Sequence, residues 1–333
     1  MIKLSIIIPC YNVGKYIGAT IESLKRQRTR DVEFIFVNDG STDDTRQVIE
    51  KFQETDDRVK LMNKKNGGVS SARNDALEMA TGEYIYLLDG DDTLTDHAVD
   101  EMLACLDMSE CDMLLSNIWF VNGNRKTLYR HGIKEGIYSS DDLFEQCSKF
   151  PTPPQNVYRR AILSEHRIRF NDLIKCGEVY EFTVNFMRYA ERIRVVDASF
   201  ANYIMRPDSA VHKINHAADR TTLLLLRELY RGQERFTNCM SFHLTAFKMV
   251  TSFTYIKYLL AGGNSPEIKE TINQVIKNPL FADVCKKVAF RPHKCLKERV
   301  LAVYMLMSGE TGFNIASGIQ RRLRMKHHLS VNS

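Results

Sequence analysis

Within the first 120 residues, short runs of β-branched and aromatic residues alternate with amphipathic stretches, and few folds accept that alternation. Leu4-Ser5-Ile6-Ile7-Ile8 reads as a buried strand ended by Pro9. Ile17, Ile21 and Leu24 then recur at helical spacing, with basic residues at the end of the segment. Residues 32–37 form a second strand that runs into turn chemistry at Asn38-Asp39-Gly40-Ser41. Val48, Ile49 and Phe52 mark a second helix, with Ser41, Thr42 or Asp43 as candidate caps. A third, weaker strand at 59–62 leads to the loop Asn66-Gly67-Gly68 and a helix over 70–80 closed by Gly82. Residues 84–88 and 112–115 read as a fourth and a fifth strand.

Strands alternating with helices of this length predict an α/β fold with a doubly wound, mostly parallel, Rossmann-like sheet. In such sheets ligands bind beyond the carboxyl ends of the strands. Four polar motifs fall at those ends: Pro9-Cys10-Tyr11-Asn12, Asn38-Asp39-Gly40-Ser41, residues 66–74, and Asp89-Gly90-Asp91-Asp92. They are expected to meet in one crevice. Residues 120–155 read as a hairpin and loops beside it. Beyond about residue 215 the pattern turns helical, broken by Gly262-Gly263, Pro266, Pro279 and Pro292. The expected division is an α/β domain over 1–214 and a helical C-terminal region over 215–333.

At 44% hydrophobic and 26% charged residues the chain reads as soluble and globular. A net charge of +5 over 333 residues gives no reason to expect nucleic acid as a partner. No apolar run approaches the roughly 18 residues a membrane span needs, and the opening residues read as a strand, not a secretory signal. The eight cysteines are scattered without a C-x-x-C pair, which points to reduced thiols in the cytoplasm and away from structural zinc. The chain has no G-x-G-x-x-G after the first strand, no G-x-x-x-x-G-K-[ST] and no G-x-S-x-G, which disfavours dinucleotide redox, ATPase and α/β-hydrolase chemistry.

Three carboxylates within four residues, Asp89, Asp91 and Asp92, repel one another unless something positive sits among them. Hard oxygen ligands suit Mg²⁺ or Mn²⁺, and Gly90 permits a turn that aims both flanking carboxylates at one point. The plainer reading is an acidic loop capping the next helix. Asp39 is placed to accept hydrogen bonds from a ribose or a base, or to serve as a turn and cap residue. Tyr11 offers an aromatic face to a nucleobase. Gly68 allows close backbone approach at a helix N-terminus, and Arg73 can hold Asp39 or Asp89 or reach a phosphate. On an amphipathic helix Arg73 is equally a surface residue.

Taken together and in order, SIIIPCYNVGKYI, VNDGSTDDT, GGVSSARNDAL and YIYLLDGDD resemble the glycosyltransferase family 2 catalytic domain of the A type. The resemblance is close over about the first 120 residues and looser through QNVYRRAIL, IKCGEVYEF and ANYIMRPDSAVH. It implies inverting transfer of a sugar from a nucleoside diphosphate sugar, by family habit a UDP-sugar, to a glycan or lipid-linked acceptor hydroxyl. Residues 1–120 would be the donor half and 121–214 the acceptor half. Pro9, Tyr11, Asn12, Asp39, Gly40, Ser41, Gly68, Arg73, Asp89 and Arg206 would bind the donor. Asp91 would ligate Mn²⁺ or Mg²⁺, with Asp89 as second ligand or through a water, and His212 as a further contact.

The chain departs from the family pattern at the acceptor side, where Gly-Glu-Asp is common and the aspartate is the expected base. Here the sequence reads Gly177-Glu178-Val179-Tyr180-Glu181. Valine accepts no proton, so Glu178 is the expected base and Glu181, one helical turn on, the alternative. The basic end Arg321-Arg322-Leu323-Arg324-Met325-Lys326 reads either as a peripheral contact with the inner membrane face or as a solvated helix. Two other functions stay open: a non-catalytic nucleotide-sugar-binding scaffold, which Val179 favours, and a sugar nucleotidyltransferase, which the Pro9-Cys10-Tyr11-Asn12 loop disfavours.

Overall fold

In order along the chain come β1 (Leu4–Cys10), α1 (Gly14–Lys25), β2 (Val32–Asp39), α2 (Thr45–Gln53), β3 (Val59–Lys64), α3 (Val69–Met79), β4 (Tyr84–Leu87), β5 (Thr93–Leu94) and α4 (Ala98–Ser109). There follow β6 (Met113–Asn122), β7 (Arg125–Tyr129), β8 (Gly136–Tyr138), α5 (Ser140–Gln146), β9 (Val157–Arg159), α6 (Arg160–Glu165), α7 (Glu178–Met187) and β10 (Ile193–Ile204). The computed structural model describes residues 1–146, 156–174, 177–206 and 279–290, with the single positions 228 and 302. The chain divides into two compact units, Met1–Lys213 and Ile214–Ser333. In the second unit the described helix is α8 (Pro279–Phe290), where Phe281, Val284, Cys285 and Val288 are buried at helical spacing.

All seven residues of β1 and all eight of β2 are buried, as expected for strands covered on both faces. The 10-stranded sheet has the order β3-β2-β1-β4-β9-β6-β10-β5, with β7 added to β6 and β8 to β10. β3, β2, β1 and β4 are mutually parallel, and β10 runs parallel to β6. β9 is antiparallel to both β4 and β6. Two reversals restore direction, so β6 and β10 point the same way as β1, and their carboxyl ends share one rim. The expected boundary at 120 falls inside β6, and β9, from the supposed acceptor half, fills the gap between two strands of the donor half. The two halves are therefore one sheet.

One face of the sheet supports the main core, where Leu4, Ile6, Ile8 and Cys10 meet Ile17, Ile21 and Leu24 of α1, with Ile49 and Phe52 of α2. Phe52 packs against Phe34 and Phe36 with ring centroids 6.5 and 6.1 Å away. Burying such a ring contributes roughly 1.5–3 kcal/mol. No residue of α3 belongs to that cluster, and its buried Ala72, Ala76 and Leu77 cover the other face.

Several local expectations are corrected. Pro9 does not end β1, which continues to Cys10. Leu88 donates its amide to the Ile7 carbonyl, so Ile7, and Pro9 two residues on, turn their main chain toward β4. β4 stops at Leu87, and the amide hydrogen that proline lacks has no ladder partner to miss. The α2 cap position is Asp44, not Ser41, Thr42 or Asp43, although Asp43 Oδ1 accepts the Thr45 amide at 3.1 Å. Gly82 does not close α3. A Cβ there would lie 2.7 Å from the Ser5 amide nitrogen, so glycine is required by close packing on β1. The fifth strand is longer than residues 112–115, because buried Ser116 and Asn117 break the apolar run without ending β6.

Candidate active site

The loops after β1 and β2 are fastened to each other by side chains. Asn12, in the left-handed region at φ 50° that asparagine tolerates, donates its amide to Ser41 Oγ at 3.0 Å. Its Oδ1 accepts the Thr42 amide at 2.8 Å. Val13 and Gly14 donate amides to Thr45 Oγ1 and Asp43 Oδ2, both at 2.9 Å. Gly40 has φ +74°, and a Cβ there would meet the Asn66 nitrogen at 2.8 Å. Tyr11 stands on this frame with 51% of its surface exposed.

Asp39, at the end of β2, is 2% exposed. Its Oδ1 and Oδ2 accept the Gly67 and Gly68 amides, each at 2.8 Å. Gly68 takes φ 90° as it enters α3. Asp39 thus fixes the glycine loop directly. Each oxygen holds one backbone N–H and keeps a lone pair with which a carboxylate can accept a second hydrogen bond.

The acidic turn after β4 is organised by partners within the protein. Asp89 Oδ1 accepts from Arg73 Nη2 at 2.9 Å. Asp91 is ion-paired with Arg206, whose guanidinium lies 4.3 Å from the Tyr16 ring centroid. Asp92 is 1% exposed, turns inward and accepts the Ile204 amide at 2.9 Å. Of the three carboxylates, Asp89 and Asp91 meet arginines and Asp92 meets backbone. Gly90 does not take a left-handed turn. Its Cβ would lie 2.9 Å from Cys10 Sγ and 3.0 Å from the Pro9 carbonyl, so glycine lets the acidic turn rest on the end of β1.

Arg73 is the centre of the arrangement. Almost fully buried, it donates Nη1 to Glu178 Oε1 at 2.9 Å and Nη2 to Asp89, while its guanidinium lies 5.2 Å from the Phe170 ring centroid. Phe170 stacks on Phe182 of α7 with centroids 4.1 Å apart. Asn74 and Phe170 exchange hydrogen bonds at 2.9 and 2.8 Å, tying α3 to the segment before α7. Glu178 is the first residue of α7, after Gly177 at φ 85°. Glu181 is buried and accepts from Asn185 of its own helix, whereas Glu178 joins the Arg73 group. His212 and the basic C-terminal end lie outside the described residues.

Burial, and after it the charge of Asp89, raises the Asp91 carboxyl above the usual aspartate value, with Arg206 pulling the other way. Burial, followed by Asp91, Asp89 and Asp43, pushes the Cys10 thiol up as well and keeps it protonated. Among the described residues no three His, Cys, Asp or Glu side chains cluster as a metal cage. A Mg²⁺ or Mn²⁺ ion that takes one or two carboxylates and completes its shell with phosphate oxygens and water needs no such cage. Asp91 and Asp89 fit that donor set.

Residues 5–167 match the family model described as Glycosyl transferase family 2. The chain carries a glycosyltransferase family 2 domain. Along its length the chain is 26% identical to the uncharacterized glycosyltransferase EpsJ of Bacillus subtilis, over 97% of each protein. It is 30% identical to the poly(ribitol-phosphate) beta-N-acetylglucosaminyltransferase TarS of Staphylococcus aureus, over 59% of this chain and 34% of TarS. It therefore spans about a third of that relative. The crystal structure of TarS 1–349 shares the fold, with TM-score 0.67 and 22% identity over 96% of this chain and 92% of that one. The mannosyltransferase PcManGT of Pyrobaculum calidifontis, solved with GDP-Man and Mn²⁺, matches with TM-score 0.55 and 14% identity, over 96% and 86%. Residues 5–167 make up that domain, and the α/β sheet is the A-type fold.

Sequence reading singles out neither Tyr16 nor Phe170, the rings beneath the two arginines. A ring that supports a cation leaves no spacing signal, and both contacts depend on segments far apart in the chain.

Proposed function

We propose that the protein is an inverting glycosyltransferase that moves a sugar from a UDP-sugar to a hydroxyl of a cell-surface polymer, with Mn²⁺ or Mg²⁺ beside Asp91 and Asp89. The observation that carries this reading is the pairing of each exposed-side carboxylate of the acidic turn with an arginine, at the shared carboxyl rim of β1, β2 and β4. That rim concentrates charge of both signs where a diphosphate would lie. TarS has been crystallised with UDP and with UDP-GlcNAc, which supports a uridine donor. Relatives acting on poly(ribitol-phosphate) support a cell-surface polymer as acceptor.

In this reading Tyr11 stacks on the base, and the loops held by Asn12, Gly40 and Ser41 present it. Asp39 and Gly68 shape the loop facing the ribose. Arg206, released from Asp91, contacts the diphosphate. A divalent ion held by Asp91 with Asp89 would supply compensation for the negative charge on the leaving diphosphate. Arg73 holds Asp89 in place from beneath. Glu178 takes the proton of the acceptor hydroxyl on its carboxylate as the hydroxyl attacks the anomeric carbon from the face opposite the diphosphate. Pro9 keeps the main chain at the rim free of a donor hydrogen.

The bond from Arg73 to Glu178 favours a second reading of that glutamate, as a positioning residue that orients Arg73. Glu178→Gln keeps an oxygen for Arg73 and removes the base. If Glu178 is the base, transfer falls about 10²–10⁴-fold while donor affinity by calorimetry stays at the wild-type value. Transfer at the wild-type rate would make it a positioning residue. Release of UDP assayed with Mn²⁺ and then with excess EDTA tests the metal: turnover that survives EDTA rejects it, and no turnover under any donor leaves only a scaffold.

A further inference from the structure

β9 enters the sheet at the rim where the strands on either side of it leave. It is antiparallel to β4 and β6, with Val157 opposite Tyr86 on one side and Leu114 on the other. Continuing that register sets Asn156 beside Leu87, two residues before Asp89. Side chains two apart on a strand share a face. Tyr158 packs edge-on against Phe182 and Phe186 of α7, with ring centroids 5.3 and 5.1 Å away. Phe182 in turn stacks on Phe170, the ring that supports Arg73. Asn156, which is fully buried, therefore stands at the rim on the face that carries Arg73 and Glu178.

A chain of hydrogen bonds fixes how the Asn156 amide lies. Thr183 Oγ1 donates to the Val179 carbonyl at 2.7 Å, and a carbonyl can only accept. The Tyr158 hydroxyl, 2.7 Å from Thr183 Oγ1, must then supply the hydrogen between them. Burial pushes that phenol up to about 12, against the pull of Thr183, Asn156 and the Arg73 charge, so the hydrogen stays on it. The Tyr158 oxygen is left to accept from Asn156 Nδ2 at 3.4 Å, and Asn156 Oδ1 turns away from it. Among the described residues this Oδ1 is buried with no hydrogen-bond partner, and so is Arg73 Nε. A buried acceptor or donor left alone is unfavourable. A hydroxyl suits both atoms, because it gives one hydrogen bond and takes others.

We propose that Asn156 is a donor-binding residue whose Oδ1 accepts a hydrogen bond from a hydroxyl of the transferred sugar. The sugar lies between the groups that hold the diphosphate and the group that takes the acceptor proton. Asn156 is tied to both sides: it borders the end of β4 that leads to Asp89, and its hydrogen-bond chain ends on Val179, next to Glu178. Tyr158 and Thr183 are positioning residues that keep the amide from turning over. This inference rests on the transferase reading above and assigns a residue that reads its sugar.

Calorimetry of the full chain with Mn²⁺ compares UDP with UDP-glucose, UDP-galactose and UDP-GlcNAc. Asn156→Ala is expected to weaken the sugar nucleotide that wild type binds most tightly by about tenfold, the scale of one hydrogen bond, and to leave UDP within about twofold of wild type. Tyr158→Phe keeps the ring against Phe182 and Phe186 and frees the amide to turn, so it should show the same selective loss at smaller size. It carries the test if circular dichroism shows that Asn156→Ala does not fold. Equal weakening of UDP and the sugar nucleotide would make Asn156 a part of the framework only and overturn the proposal, as would wild-type affinity for both. A wild-type chain that binds none of these nucleotides rejects the transferase reading and this inference with it, whereas binding without a selective loss rejects this inference alone.

Discussion

Arg73 joins more of the candidate site than any other described side chain. It reaches Asp89 after β4 and Glu178 at the start of α7, and it rests on Phe170. Burial works against its charge, and Asp89 and Glu178 more than compensate. Removing one partner of such a buried group is far costlier than the net worth of the pair, because the remaining charges lose their compensation. Arg73→Ala is expected to destabilise the fold by about 3–5 kcal/mol. Arg73→Lys should cost less, yet a single ammonium cannot reproduce a planar fork that spans two carboxylates. Urea denaturation of both variants checks the order; a lysine variant as weak as alanine would mean that shape, not charge, is what the position supplies. From sequence Arg73 was legible as a residue able to hold an acidic neighbour, and Asp89 is that neighbour. Asp39 was legible as a site residue, but its bonds to the glycine loop were not. Its position after a strand says nothing about Gly67 and Gly68, which reach it only once α3 has folded back over the sheet.

At the scale of elements, the strand and helix periods between residues 4 and 88 carried most of the fold, since each strand run is followed within two residues by glycine, proline or asparagine. Later elements were less legible for physical reasons. β9 is three residues long, too short for any period to register, and its reversed direction is set by the neighbours on either side. Glu33 of β2 shows what periodicity does not reveal. Almost fully buried, it accepts from Ser5 of β1 at 2.6 Å and from the Thr81 amide at 2.7 Å, and it pairs with Lys60 of β3 at 2.5 Å. Burial pushes its carboxyl up, but the bonds from Lys60, Ser5 and Thr81 outweigh that and hold it below the usual glutamate value. A lowered folded value means the unfolded chain takes up the proton first as acid is added. The stability Glu33 contributes is therefore full above the unfolded value of about 4.3 and is lost as pH falls through the folded value. Glu33→Gln should lower the urea midpoint at pH 7 and lower it much less at pH 3. An equal loss at both would show that the hydrogen bonds matter and the charge does not.

For the whole molecule, the sharpest test of the donor is linkage. A ligand that binds only the folded chain raises the melting temperature, by an amount equivalent to about 2.7 kcal/mol at a hundred times Kd. UDP-GlcNAc with Mn²⁺ is expected to give a shift larger than either alone, with GDP-mannose giving less; equal shifts for both nucleotides would reject a uridine preference. The same scale exposes what a division into donor and acceptor halves conceals. β4 and β6 are not neighbours, and the strand that lies between them is made later than both. On the ribosome, β4 must wait with one edge uncovered while the chain grows from Leu87 to Val157. At about 5–20 residues per second that interval lasts several seconds. Throughout it the nascent protein displays an open strand beside a half-built sheet, the kind of surface to which a second nascent copy or a chaperone attaches.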